Sequence, residues 1–85
     1  MIDPFLVNLP TLDVHGYTSD TVTWVISDFI NDNLIMGKDK IVIVHGIGQG
    51  ILKKVINNYF KKDKRIKKIY GDPFNLGITI LELNK

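Results

Sequence analysis

Eighty-five residues allow one hydrophobic core and hence one small domain. A hydrophobic content of 45% is too high for a disordered tail, and the absence of cysteine excludes disulfide frameworks and thiolate zinc sites while fitting a reducing compartment. The net charge of +2 hides an asymmetry: residues 1–37 carry five acidic side chains and no Lys or Arg, whereas residues 38–85 carry eleven basic and four acidic ones.

No apolar run approaches the roughly 20 residues needed to cross a bilayer. Met1-Ile2-Asp3-Pro4 lacks the basic start and apolar stretch of a signal peptide, so a soluble cytoplasmic domain without a membrane partner is expected. Residues 1–10 read as a short N-terminal arm and residues 11–85 as the domain. In the arm, Pro4 and Pro10 bracket Phe5-Leu6-Val7-Asn8-Leu9, a segment suited to a sheet edge or to covering the core rather than to a central strand.

Thr11-Leu12-Asp13-Val14-His15-Gly16 alternates apolar and polar residues, so a strand here puts Asp13 and His15 on one face, about 7 Å apart at the backbone. Carboxylate and imidazole together suit proton transfer, because His titrates near neutrality and Asp can orient it. The same pair suits a divalent cation, with Asp13 as the oxygen donor. Taken alone, so short a motif reads as a hydrogen-bonded pin at a strand end.

Thr18 then caps a helix whose apolar positions Val22, Val25, Ile26, Phe29 and Ile30 follow a 3.6-residue period, with Gly37 just past its end. Trp24 is expected to pack at the core or its margin. Asp20, Asp28 and Asp32 make the exposed side a poor surface for phosphate.

Four β-branched residues, Ile41 to Val44, read as a strand buried on both faces. His45-Gly46-Ile47-Gly48-Gln49-Gly50 follows, and then a helical pattern with Ile51, Leu52, Val55, Ile56, Tyr59 and Phe60 on one apolar face. Strand, glycine loop and helix form the layout in which backbone N–H groups point at an anion, and phosphate is the fitting one. His45, ending a buried strand, reads first as structural and second as an acid–base group. The loop lacks the Gly-Lys-Ser/Thr ending of a P-loop, which disfavours a nucleotide-binding enzyme.

Lys53, Lys54, Lys61, Lys62, Lys64, Arg65, Lys67 and Lys68 crowd into sixteen positions opposed only by Asp63. Such a run is either a solvated surface or a patch for nucleic-acid phosphates, and the glycine loop at its head favours the second. Ile66 to Tyr70 form a short strand, Gly71-Asp72-Pro73 a turn, and Ile78 to Leu83 the last strand. The order β-α-β-α-β-β implies an α/β domain: two parallel units by crossover, then strands able to pair antiparallel in one mixed sheet. Asp13–Gly16 and His45–Gly48 then share the carboxyl edge of the sheet, with a crevice between them if the helices go to opposite faces. Nothing local assigns Gly71 or Gly77 to that edge.

From Thr11 to Leu83 the residues resemble the Smr (small MutS-related) domain family. Leu12-Asp13-Val14-His15-Gly16 fits its Leu-Asp-x-His-Gly block, and His45-Gly46-Ile47-Gly48 its His/Thr-Gly-x-Gly block. Gly50, Leu52 and Lys53 resemble the start of its second helix, and Gly77 to Leu83 its closing strand. Where the family usually has a glycine pair before that strand, this chain has Asn75-Leu76. The resemblance implies a sandwich similar to the C-terminal domain of translation initiation factor three. It also implies DNA or RNA binding, often with nicking or endonuclease activity, in proteins that act on branched DNA or on stalled ribosomes.

On this reading the chain is an endonuclease domain. His45, Gly46, Gly48, Gly50, Lys53 and Lys54 would hold phosphate, and Asp13 and His15 would be the catalytic pair. On RNA no cofactor is needed; on DNA, Asp13 would hold Mg or Mn. The alternative is a docking module without catalysis, for nucleic acid, ribosome or protein.

Overall fold

The computed structural model describes residues 9–85, so Phe5 to Asn8 of the arm lie outside the described residues. The elements are β1 (Thr11–Asp13), α1 (Ser19–Ile35), β2 (Lys40–Val44), α2 (Ile51–Phe60), β3 (Ile66–Asp72) and β4 (Asn75–Leu83). Their boundaries follow local chemistry. Thr18 is extended, and its hydroxyl accepts the Thr21 N–H at 3.3 Å, satisfying one of the donors that a helix start leaves open. At the other end Gly37 adopts φ +78°, and its N–H returns to the Leu34 carbonyl.

The sheet order is β1-β2-β4-β3. β1 and β2 pair in parallel, while β4 runs antiparallel to both β2 and β3. β3 therefore points the same way as β1 and β2, with β4 inserted between. Both crossovers step across the sheet in the same sense, so a common handedness places both helices over one face. Val22, Ile26 and Ile30 of α1 and Ile56 and Phe60 of α2 accordingly share one buried cluster with Ile41, Ile43, Leu81 and Leu83. The expected crevice between helices on opposite faces is absent for this reason. On the other face Val42, Ile78 and Ile80 form a smaller cluster, against which Leu9 and Val44 pack. Ile41 and Ile43 have no exposed surface, and truncating either to Ala should cost about 2–5 kcal/mol.

Three details differ from the expectation. Ile51 and Tyr59 are 57% and 59% exposed: at about 100° per residue Ile51 lies on the side of α2 opposite Phe60, and Tyr59 lies at the edge of the buried stripe. Tyr59 instead meets the Phe60 ring edge-on at 4.9 Å. Trp24 is exposed on the outer side of α1 and belongs to neither core cluster. Finally, β3 runs on to Asp72, and β4 begins at Asn75. The Asp72 carboxylate accepts the Phe74 N–H at 2.8 Å, so Pro73-Phe74 alone make the turn and pairing continues to Asp72–Asn75.

Candidate functional site

β1 is only three residues long, and its register on β2 places Asp13 opposite Val44. Val14 extends the pairing by one bond, its N–H to the Val44 carbonyl at 2.8 Å, and its side chain is fully buried. The chain then leaves the sheet, and His15 projects beyond the rim. Its Nδ1 lies 2.5 Å from Asp13 Oδ1, which also accepts the His15 backbone N–H at 3.1 Å. A carboxylate only accepts, so Nδ1 carries the proton of the neutral ring; Nε2 has no partner among the described residues. These bonds, the ring bond foremost, hold the Asp13 carboxyl below its ordinary range. Both side chains are open to solvent.

The glycine loop bridges β2 and α2. Gly50 is the N-cap at φ +76°, a conformation that costs an L side chain roughly 1–2 kcal/mol. It offers no side-chain cap, and the first turn of α2 holds no acidic residue. The N–H groups of Ile51, Leu52 and Lys53 thus have no acceptor among the described residues, which leaves the positive end of the helix bare. A cleft of about 170 Å³ lies there, lined by residues 45–53.

His45 supports this loop from below. It is buried, with Nδ1 2.8 Å from the Gly46 carbonyl and Nε2 2.8 Å from Thr79 Oγ1. The carbonyl requires Nδ1 to donate, so in the neutral ring Nε2 accepts the Thr79 hydroxyl proton. Both ring nitrogens are committed inside the chain.

The two halves meet at Gly46, where a Cβ would touch His15 Cβ at 3.7 Å. Gly77 also belongs here, contrary to the expectation. Its carbonyl accepts the N–H groups of both His45 and Gly46, at 2.9 and 3.0 Å. A Cβ at Gly77 would crowd Asn75 Oδ1 at 3.2 Å and touch the Gly46 backbone at 3.5 Å. The Asn75 side chain in turn accepts the Gly77 N–H at 2.9 Å, fixing the start of the strand.

A family model described as the Smr domain matches residues 12–81. The chain belongs to the Smr domain family. It is 36% identical over 75 residues to endonuclease MutS2 of Finegoldia magna, covering 85% of this chain and 10% of that protein. Endonuclease MutS2 of Helicobacter pylori strain 26695 is 33% identical over 66 residues, 78% of this chain and 9% of the relative. The chain thus spans about a tenth of the length of these relatives. In fold it is similar to the Smr domain of Thermus thermophilus MutS2. That crystal structure superposes with a TM-score of 0.85 at 21% identity, covering 91% of this chain and all of that one.

In this Smr domain Lys53 lines the cleft, while Lys54 is exposed on α2 outside it. Lys61, Lys62, Lys64, Lys67 and Lys68 are also exposed. Arg65 is withdrawn from the patch: it forks onto Asp63 and reaches Ser27 and Asn31 of α1. For a metal, the donor set is thin. Among the described residues no third His, Cys, Asp or Glu joins Asp13 and His15 in a metal-holding group, and Asp13 Oδ1 is already engaged by His15. No helix among them is long and apolar enough to cross a membrane.

Sequence reasoning missed Gly77, Asn75 and Thr79. The available signal was Asn-x-Gly, a pattern in which the Asn side chain accepts the N–H two residues on.

Proposed function

We propose that this Smr domain binds nucleic acid through the Gly46–Lys53 cleft and cleaves its phosphodiester backbone, with RNA as the favoured substrate. The observation carrying the proposal is the closeness of His15 Cβ to Gly46, which puts a proton-handling pair next to the first residues of the loop that leads to a bare helix start. The relatives named endonuclease MutS2 support phosphodiester cleavage as the reaction class.

The N–H groups of Ile51, Leu52 and Lys53 and the Lys53 ammonium would hold the phosphate and offset charge that builds on its oxygens. His15 Nε2 would take the proton of the ribose 2′-hydroxyl while Asp13 holds Nδ1–H and steadies the imidazolium. The 2′-oxygen bonds to phosphorus, the bond from phosphorus to the 5′-oxygen breaks, and the departing oxygen takes a proton from water. RNA is favoured because it brings its own nucleophile, which one imidazole–carboxylate pair suffices to activate.

The test is incubation of labelled RNA, the same RNA with 2′-deoxy substitutions, and a branched DNA, each with and without EDTA. Cleavage of RNA alone, unaffected by EDTA, is expected. Cleavage of DNA that requires Mg or Mn would instead assign an ion to Asp13. Binding to all three without cleavage would leave a docking module.

A further inference from the structure

The rim that carries the cleft also carries apolar surface that the cleavage proposal does not use. Phe74 is 80% exposed and Leu76 62%, both flanking the start of β4. Across the Gly46–Gly77 contact stand Ile47 of the glycine loop and Ile51 at the start of α2, 67% and 57% exposed. Phe74 is three residues, about 10 Å of extended chain, from Gly77. Its backbone is held by the bond from its N–H to Asp72, whose own side chain is buried. An aromatic ring is thus presented to solvent on a fixed turn, at the same edge of the sheet as the glycine loop.

From this placement, and resting on the nucleic-acid reading above, we infer that Phe74 is a stacking platform for an unpaired base next to the phosphate held by the glycine loop, so that the domain selects single-stranded segments. Bases and phosphates alternate along one strand, which is the alternation this rim offers. A duplex keeps its base faces stacked on one another and has none free for Phe74. Stacking on an aromatic side chain accepts any base, so the selection is for strandedness rather than sequence. Leu76 and Ile47 would flank the stacked base.

The experiment is fluorescence anisotropy at one salt concentration with a short 2′-O-methyl single strand, which lacks the nucleophilic hydroxyl, and a blunt duplex of the same sequence. The wild type should prefer the single strand. Phe74→Ala should weaken single-strand binding roughly 5- to 100-fold and leave duplex binding unchanged, while Phe74→Trp should retain the preference. Because the ring is exposed, these variants should keep the wild-type circular dichroism. If Phe74→Ala binds the single strand as well as wild type while Lys53→Ala weakens both probes, the stacking role is wrong and the cleft reading stands. Equal losses on both probes with Phe74→Ala would also overturn the selection. Wild type that binds neither probe would remove the nucleic-acid reading, and this inference with it.

Discussion

His15 gives Asp13 two hydrogen bonds at a single oxygen, one from its ring at 2.5 Å and one from its backbone at 3.1 Å. A two-residue loop thereby becomes a closed unit, in which the carboxylate fixes both where the imidazole sits and which nitrogen it offers. The unit stands at the rim because β1 stops after three residues while Val14 remains anchored in the core.

Replacing Asp13 with Asn should separate orientation from binding. The amide can still accept a hydrogen bond, but it cannot stabilise an imidazolium. Cleavage at saturating RNA should fall roughly 100-fold with KM nearly unchanged, read from single-turnover kinetics. In the wild type the carboxyl lies below its ordinary range, so Asp13 stays ionised above about pH 4 and its contribution is lost only as pH falls through the lowered value.

Salt should report on the cleft. Lys53 lines it with no salt-bridge partner among the described residues. Lys53→Ala should weaken RNA binding and reduce the slope of log K against log salt by about 0.7, the value for one contact on a single strand. An unchanged slope in filter-binding titrations would place Lys53 away from the phosphate.

The reach of the sequence ends where interactions become non-local. Thr18, Gly37 and the run Ile41 to Val44 each declare their role through neighbours a few residues away, and the structure agrees with them. The contact of His15 with Gly46 needs only that two adjacent parallel strands end together. Gly77 is different, because its place depends on β4 inserting between β2 and β3, a pairing between distant segments that no local pattern states. The same strand order decides that both helices cover one face. Trp24 and Ile51 show the other limit: an apolar residue is not thereby a core residue, for each sits far around its helix from the positions that are buried.

Thr79→Val should probe the support under the loop. It removes the hydroxyl bonded to the buried His45 ring and leaves Nε2 without a partner. A loss of about 1–3 kcal/mol is expected in urea denaturation. Thr79→Ser, which keeps the hydroxyl, should recover most of it.

Asp63 and Arg65 offer a pH test of stability. The Arg65 side-chain hydrogen bonds hold the Asp63 carboxyl below its ordinary value. The unfolded chain binds that proton more readily, so the stabilisation is complete above about pH 4 and fades as pH falls through the lower folded value. Asp63→Asn should cost about 1–2 kcal/mol at neutral pH. It should also flatten the acid limb of Tm against pH; an equally steep limb in the variant would show that the pair contributes nothing.

The most direct measurement is single-turnover cleavage of an end-labelled RNA by wild type and by His15→Ala, with binding of a 2′-O-methyl strand measured alongside. A loss of roughly 100- to 10,000-fold in rate with affinity retained is the predicted result. Undiminished cleavage by the variant would contradict the account, because the bond would then be broken without the imidazole that Asp13 holds at the rim.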